Sequence, residues 1–267
     1  MWVCPRVRCY ASASGSGYTL VSLLSFTHCL AALFFLLIKP PLVQRCYLYT
    51  VYYTLSFFTF TEHRYWAFKM MGLGHRMLAN VQGLSFYKKL GTGKKGFSII
   101  PNWGEYAFLA VWESEEDAKA FFADSEYINE YKSKAATLTQ YHLQCIKCHG
   151  TWDGKTPFVA DKDLVVQPDD NIGVITRASV KWTQLIRFWR YVPKSHQALW
   201  DNPGLIFTKG IGDVPLLEMA TFSLWKNQEA IMNFAYKNEH HKKAITLTKK
   251  HNWYSEEMFS RFIVNEM

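Results

Sequence analysis

Three sets of residues in this 267-residue chain have the types and spacing to do chemistry. Near the carboxyl end, Ile231, Phe234, Asn238, His241, Ile245 and Thr248 follow the three-four spacing of one helix face. His241 sits in the middle of that stripe. An imidazole without a partner costs about 1–3 kcal/mol of desolvation there, so something must hold it. A backbone carbonyl would make it an ordinary core histidine. A metal would make it an axial ligand to haem iron, which calls for a neutral imidazole on a rigid element facing an apolar slot. His240 points about 100° away and falls on the solvent side.

The second set lies on a strand. Alternation over Val174 to Trp182 puts Ile175, Arg177, Ser179 and Lys181 on one side. Two cations share that face. They either point into water from a half-exposed sheet or line a cavity, where Arg177 would pair with a haem propionate or polarise bound oxygen and Lys181 would add a second cation. The third set, Cys145-Ile146-Lys147-Cys148-His149, has the C-x-x-C-H spacing used to attach c-type haem covalently, a reaction of exported compartments. A zinc site would need two further ligands, and none stands at a suitable spacing.

The elements that must position these residues come in a duplicate set. At an offset of 121 residues, His75, Leu78, Gly83, Leu84, Phe86, Lys88 and Gly91 fall on His196, Leu199, Gly204, Leu205, Phe207, Lys209 and Gly212. At an offset of 113, Ala107, Trp112, Glu116, Phe121 and Glu126 fall on Ala220, Trp225, Glu229, Phe234 and Glu239. Each copy reads as strand, helix, strand, strand, helix, strand, the split β-α-β or ferredoxin-like order. The first copy is expected as strand 48–60, helix 65–80, strands 84–90 and 106–112, helix 115–135 and strand 138–146. The second is expected as strand 173–181, helix 184–201, strands 205–209 and 217–224, helix 228–250 and a strand near 261–264. Gly83 and Pro203-Gly204 end helices, and Ser114 with Asp117 is a capping pair. The fold class is therefore α+β, with two ferredoxin-like repeats (48–149 and 173–267) pairing sheet to sheet across a connecting loop, 150–172. His241 falls on Ile128 of the first copy, so the second copy places an imidazole where the duplicated pattern calls for packing.

Composition bounds the rest. With 49% hydrophobic, 19% charged and 16% aromatic residues, the chain has material for a large core and is neither disordered nor a disulfide-stapled miniature. The net charge of +8 divides between a leader without acids before Glu62 and a body only mildly basic, whose lysines alternate with acids. That argues against nucleic acid. Four of the six cysteines lie in the first 46 residues, and nothing resembles a disulfide framework, which suits a reducing, cytoplasmic setting. Residues 1–47 differ in kind: Tyr18 to Ile38 runs without a charge and is long enough to cross a bilayer once. Basic residues on both sides leave the orientation open. A membrane anchor, an extension foreign to the mature protein and an unusual targeting peptide all remain as readings.

From about Thr54 onward the sequence resembles the spheroidene monooxygenase family. The carrying segments are Trp66 to Leu73, Gly91-Thr92-Gly93, Tyr106 to Trp112, His149 to Gly154 with Pro157-Phe158, Phe222 to Trp225, and Trp253 to Glu257 with Phe259 to Phe262. The resemblance implies a haem-containing oxygenase of linear carotenoids on a dimeric α/β-barrel scaffold, with b-type haem, molecular oxygen and an electron donor. It also implies that the leader is foreign to the family. It accounts for His149 and Gly150 without either cysteine, which weakens the covalent-haem reading. His241 holds the place, shortly before the Trp-Tyr-x-Glu segment, where such sequences carry a histidine. The leading expectation is a haem-dependent monooxygenase of an apolar polyene, with His241 on the iron and Arg177 assisting. A cofactor-free or flavin-assisted oxygenase, and a non-catalytic haem- or lipid-binding barrel, are the alternatives.

Overall fold

The computed structural model describes residues 51–94, 96, 98–200, 202–237, 246–248 and 250–266. They belong to one compact unit that begins at Thr50. Its elements are β1 (Tyr52–Thr59), α1 (Arg64–Leu73), α2 (His75–Leu78), β2 (Leu84–Gly93), β3 (Pro101–Trp112), α3 (Glu115–Asp124), α4 (Glu126–Lys132) and β4 (Thr137–Gly150). A second run follows: β5 (Ile172–Val180), a 3-10 turn (Trp182–Gln184), α5 (Leu185–Trp200), β6 (Leu205–Val214), β7 (Glu218–Trp225), α6 (Gln228–Lys237) and β8 (Tyr254–Glu266).

The eight strands close into a barrel in the order β1-β3-β2-β6-β7-β5-β8-β4, and every neighbouring pair is antiparallel. Each half contributes four consecutive strands in matching order. The halves meet at two seams. At one, Gly91 pairs with Gly212; at the other, Leu143 pairs with Val264. Gly91 and Gly212 are separated by the 121 positions at which that part of the sequence repeats, so this seam sets equivalent residues face to face, as an approximate twofold requires.

Local chemistry sets the element ends. The Ser114 hydroxyl accepts from the Asp117 amide at 3.0 Å and donates to its carboxylate at 2.6 Å, so the expected capping pair starts α3. The single helix expected over 115–135 is two helices. Ser125 is extended and its hydroxyl accepts from Ile128 N–H, which ends one helix and caps the next. The last strand is far longer than its expected span near 261–264, because polar residues alternate along its outward side and hide the apolar period.

Side chains fill the barrel, as expected for eight strands. Leu55, Phe57, Leu90, Leu109, Leu143, Ile175, Phe222 and Phe262 meet at its centre. Trp152 and Phe158 enter this core from the loop between the halves. The connecting loop therefore plugs the barrel. Outside, the helices cover the two half-sheets unequally. On the first half one continuous cluster joins Phe58, Phe108, Ala110 and Trp112 to Phe121, Tyr127 and Tyr131 of α3 and α4. On the second half the described residues form two smaller clusters. Ile231 and Phe234 of α6 pack on Ile172, Val174, Trp225 and Ile263, while Phe188 of α5 packs on Val180 and Trp253.

Among the described residues no helix is long and apolar enough to cross a membrane. Tyr18 to Ile38 lie outside the described residues.

Candidate functional site

The gap between the two outer clusters of the second half is the first feature of the site. Along β5, Val174 is buried beneath Ile231 and Phe234 and Ala178 is also buried, yet Thr176 between them is exposed. Its cross-strand neighbours on this face are Thr221 of β7 and Phe259 of β8, and Phe259 in turn pairs with His149 of β4. Thr221, Thr176, Phe259 and His149 thus form a row across four strands. The His149 ring stacks on Phe259 with centroids 5.3 Å apart, and the Arg261 guanidinium lies over the same ring at 5.9 Å. In the first half the outward residues of β1, Thr54, Ser56 and Phe58, are all fully covered. Among the described residues, the second half leaves Thr176 exposed between two apolar clusters, with Thr221 and Phe259 beside it.

His241, the expected iron ligand, lies outside the described residues. Its helical stripe begins as expected, since Ile231 and Phe234 both pack against the sheet beside the gap. Lys181 lies one residue beyond the end of β5. The ladder shifts register between Ser179 and Val180, β5 ends there, and the Lys181 N–H bonds the Trp253 carbonyl at 2.8 Å. Alternation cannot be carried through a strand end.

Arg177 faces the barrel interior and is 1% exposed. One terminal nitrogen pairs with Glu256, and the other with Glu218 at 2.9 Å and Asp153 at 3.3 Å. Open water does not describe its setting: both ends of its fork are engaged by the protein's own carboxylates. Lys88 extends the cluster through ion pairs with Asp153 and, at 2.5 Å, Asp213. Oxygens of Asp153, Asp213 and Glu218 lie within 4.8 Å of one another, close enough to share a cation. The Lys88 ammonium and the Arg177 guanidinium take that role, and the Trp152 ring lies 5.7 Å from each. In the first copy the position of Arg177 belongs to Phe57, since Phe57 faces Ala107 as Arg177 faces Ala220. The second copy has therefore replaced a core ring by a guanidinium.

Glu256 organises this mouth of the barrel. It accepts from the Thr151 hydroxyl at 2.6 Å and from the amides of Gly154 and Asp153 at 2.8 and 3.2 Å. Burial opposes its ionisation, but these donors and Arg177 outweigh burial and hold the carboxyl down at about 2. Burial, and then the negative charges of Asp213 and Asp153, push Glu218 up despite Arg177. Gly150 makes the arrangement possible: its φ is 83°, and a Cβ there would overlap the Glu257 carbonyl. The segments 149–154 and 253–257, far apart in sequence, meet here. Residue types alone gave no signal of that meeting, although Thr151, Asp153 and Glu256 all belong to motifs legible in the sequence.

The C-x-x-C-H segment is divided between two surfaces. A bulge between Cys145 and Lys147 turns both cysteines inward. Cys145 is buried in the barrel core, and Cys148 packs against that core with its thiol directed to the Phe158 carbonyl at 3.3 Å. His149 is exposed on the outer face. Burial raises the Cys145 thiol far above its ordinary value. Thiols inside and imidazole outside cannot serve one covalent haem.

No family model matches the chain. It is 33% identical over 212 residues to the spheroidene monooxygenase of Rhodobacter capsulatus, covering 78% of this chain and 88% of that protein. It is 33% identical over 214 residues to the spheroidene monooxygenase of Cereibacter sphaeroides, covering 78% of this chain and 65% of that protein. Among solved structures, an aldoxime dehydratase in complex with butyraldoxime has the same fold, with a TM-score of 0.52 and 11% identity over 80% of this chain and 79% of that one.

Proposed function

Because the chain belongs to the spheroidene monooxygenase family and is a monooxygenase, we propose that it is haem-dependent and oxygenates a carotenoid or a similar apolar polyene, with His241 as the axial ligand. The observation that carries the cofactor reading is the exposed Thr176, whose equivalent in the first half, Ser56, is fully buried. Bound haem supplies the activation of molecular oxygen, with electrons from a donor protein or small reductant. The chain's own residues supply the setting. Thr176 and Thr221 give a floor low enough for a planar group, the clusters around Phe234 and Phe188 exclude water on two sides, and Phe259 offers a ring at the rim. Arg177 acts from behind, tying β5 to β7 through Glu218 and to β8 through Glu256, and so fixes the three strands that form the floor. The two halves are best read as ferredoxin-like units from a duplication, with only the second adapted to a cofactor. A homodimer is part of the proposal by family likeness.

The test is a haemin titration of the purified full-length chain and of His241→Ala, followed by visible spectroscopy. A Soret band that shifts on binding to the wild type and is absent or displaced in the variant supports axial ligation. A wild type that binds no haemin overturns the cofactor reading. Haem binding without conversion of a linear polyene under reducing, aerobic conditions overturns the substrate reading alone.

A further inference from the structure

One surface of the second half is used by neither the barrel nor the slot. Between Asp170 and Asp201 the chain contains no acidic residue. Within that stretch Trp182 and Ile186, four residues apart at the start of α5, are 79% and 78% exposed. No other large apolar side chain among the described residues is so open. Scattered exposed apolar residues are ordinary, but these have company. The Trp189 indole donates to the Leu216 carbonyl at 3.3 Å, which holds the β6–β7 hairpin tip against α5. Val214 and Leu216 of that tip are 42% and 40% exposed, and Leu216 has a φ of 70°, a backbone that leucine rarely adopts. Arg187 and Arg190 are exposed beside them, with Lys181 half-buried at the edge. The acids of the same hairpin, Asp213 and Glu218, are bound to Lys88 and Arg177 at the barrel mouth. The patch is therefore apolar at its centre and cationic at its rim.

We propose that this face docks on an anionic phospholipid bilayer, with Trp182, Ile186 and Leu216 entering the interfacial layer and Lys181, Arg187 and Arg190 meeting lipid phosphates. The charge sign selects the occupant: an indole and an aliphatic side chain framed by arginines is the composition of an interfacial helix. The opposite face of α5 carries Phe188 onto Val180 and Trp253, the cluster that bounds the slot. An apolar molecule leaving the bilayer here reaches the slot across one helix diameter, about 10 Å. The docking surface stands whether or not haem occupies the slot.

The experiment uses the full chain with vesicles of phosphatidylcholine alone or with about 30% phosphatidylglycerol, read by flotation and by amide hydrogen exchange. Exchange is the deciding measurement, because it is local and unaffected by any grip of the N-terminal segment. Slower exchange over 181–190 and 213–217 with the anionic vesicles only is expected. Trp182→Ser with Ile186→Ser, and separately Arg187→Glu with Arg190→Glu, should abolish that slowing and reduce partitioning about tenfold. Retained circular dichroism would exclude misfolding as the cause. Unchanged exchange in these segments in the presence of anionic vesicles overturns the proposal. So does slowing without vesicles together with a doubled mass in light scattering, which gives the face to a second copy. An equal loss from Phe68→Ser with Trp103→Ser, exposed elsewhere, also overturns it.

Discussion

Thr176 and Arg177 are consecutive in β5 and look in opposite directions, Thr176 out into the gap between two helix-packed clusters and Arg177 into the barrel, where three carboxylates surround it. The period of two that governs a strand makes this unavoidable. It also assigns the two residues different duties, Thr176 to the space where a ligand would lie and Arg177 to the rigidity of the sheet behind it.

Filling the gap should block a ligand without loosening the fold. Thr176→Phe places a ring on the exposed floor and touches no buried group, so its effect on stability should stay within about 0.5 kcal/mol. Haemin affinity should fall at least tenfold, that is by about 1.4 kcal/mol. Parallel spectroscopic titration and thermal denaturation check both halves of this expectation. A variant that binds haemin as the wild type does would place the site elsewhere.

Arg177→Met should do the reverse. Removing the guanidinium leaves Glu218 and Glu256 without their cation and Asp153 with Lys88 alone, and breaking a buried ion pair from one side costs about 3–5 kcal/mol. Urea denaturation should show that loss. The double variant with Glu218→Gln should recover part of it, because Glu218 is already held above its ordinary pKa by burial and by Asp213 and Asp153. Loss of haemin affinity without loss of stability would contradict the role given to Arg177 here.

The Glu256 carboxyl predicts a pH signature. It is held at about 2 against an ordinary 4.5, so between those values the unfolded chain binds more protons than the folded one. Stability from this group is complete above about pH 4.5 and is lost as the pH falls towards 2. In Glu256→Gln that part of the acid limb should flatten. Glu218 has the opposite sense, since its raised pKa makes the folded form the better proton acceptor above the ordinary value. Unfolding free energy measured against pH for the wild type and both variants checks the two signs.

The architecture was written plainly in the chain. The repeat carried the element order, and Gly91 and Gly212, which it matches, are partners in the ladder as well. Long-range meetings were not legible. Thr151 and Glu256 are 105 positions apart, and their contact depends on barrel closure, which no local pattern encodes. Ser125 was legible in principle as a cap, but the apolar period running on through Ile128 and Tyr131 masked the break. Lys181 falls just past the end of β5, an end for which period-two counting carries no marker. For Arg177 the face was read correctly and its surroundings were not, since the sequence does not reveal whether a strand's polar face meets water or the inside of a closed barrel.

The seam itself offers a final expectation, because its two equivalent glycines are not equivalent in space. A Cβ on Gly91 would find only the Gly212 carbonyl at 3.8 Å, ordinary contact. A Cβ on Gly212 would meet the Glu218 carbonyl at 2.7 Å, and backbone cannot move aside as a side-chain tip can. Gly91→Ala should therefore leave stability within about 0.5 kcal/mol of the wild type, while Gly212→Ala should cost about 1–3 kcal/mol, the usual range for overpacking. Thermal denaturation of the two single variants checks it. The asymmetry has a structural source: the bulge between Gly212 and Val214 sits at the mouth where Asp213 and Glu218 hold Lys88 and Arg177, whereas the matching place in the first copy, with its bulge between Gly91 and Thr92, holds the Lys209–Glu105 ion pair. Equal costs at the two positions would mean that the repeat, rather than the charged mouth, sets the spacing of the strands at this end.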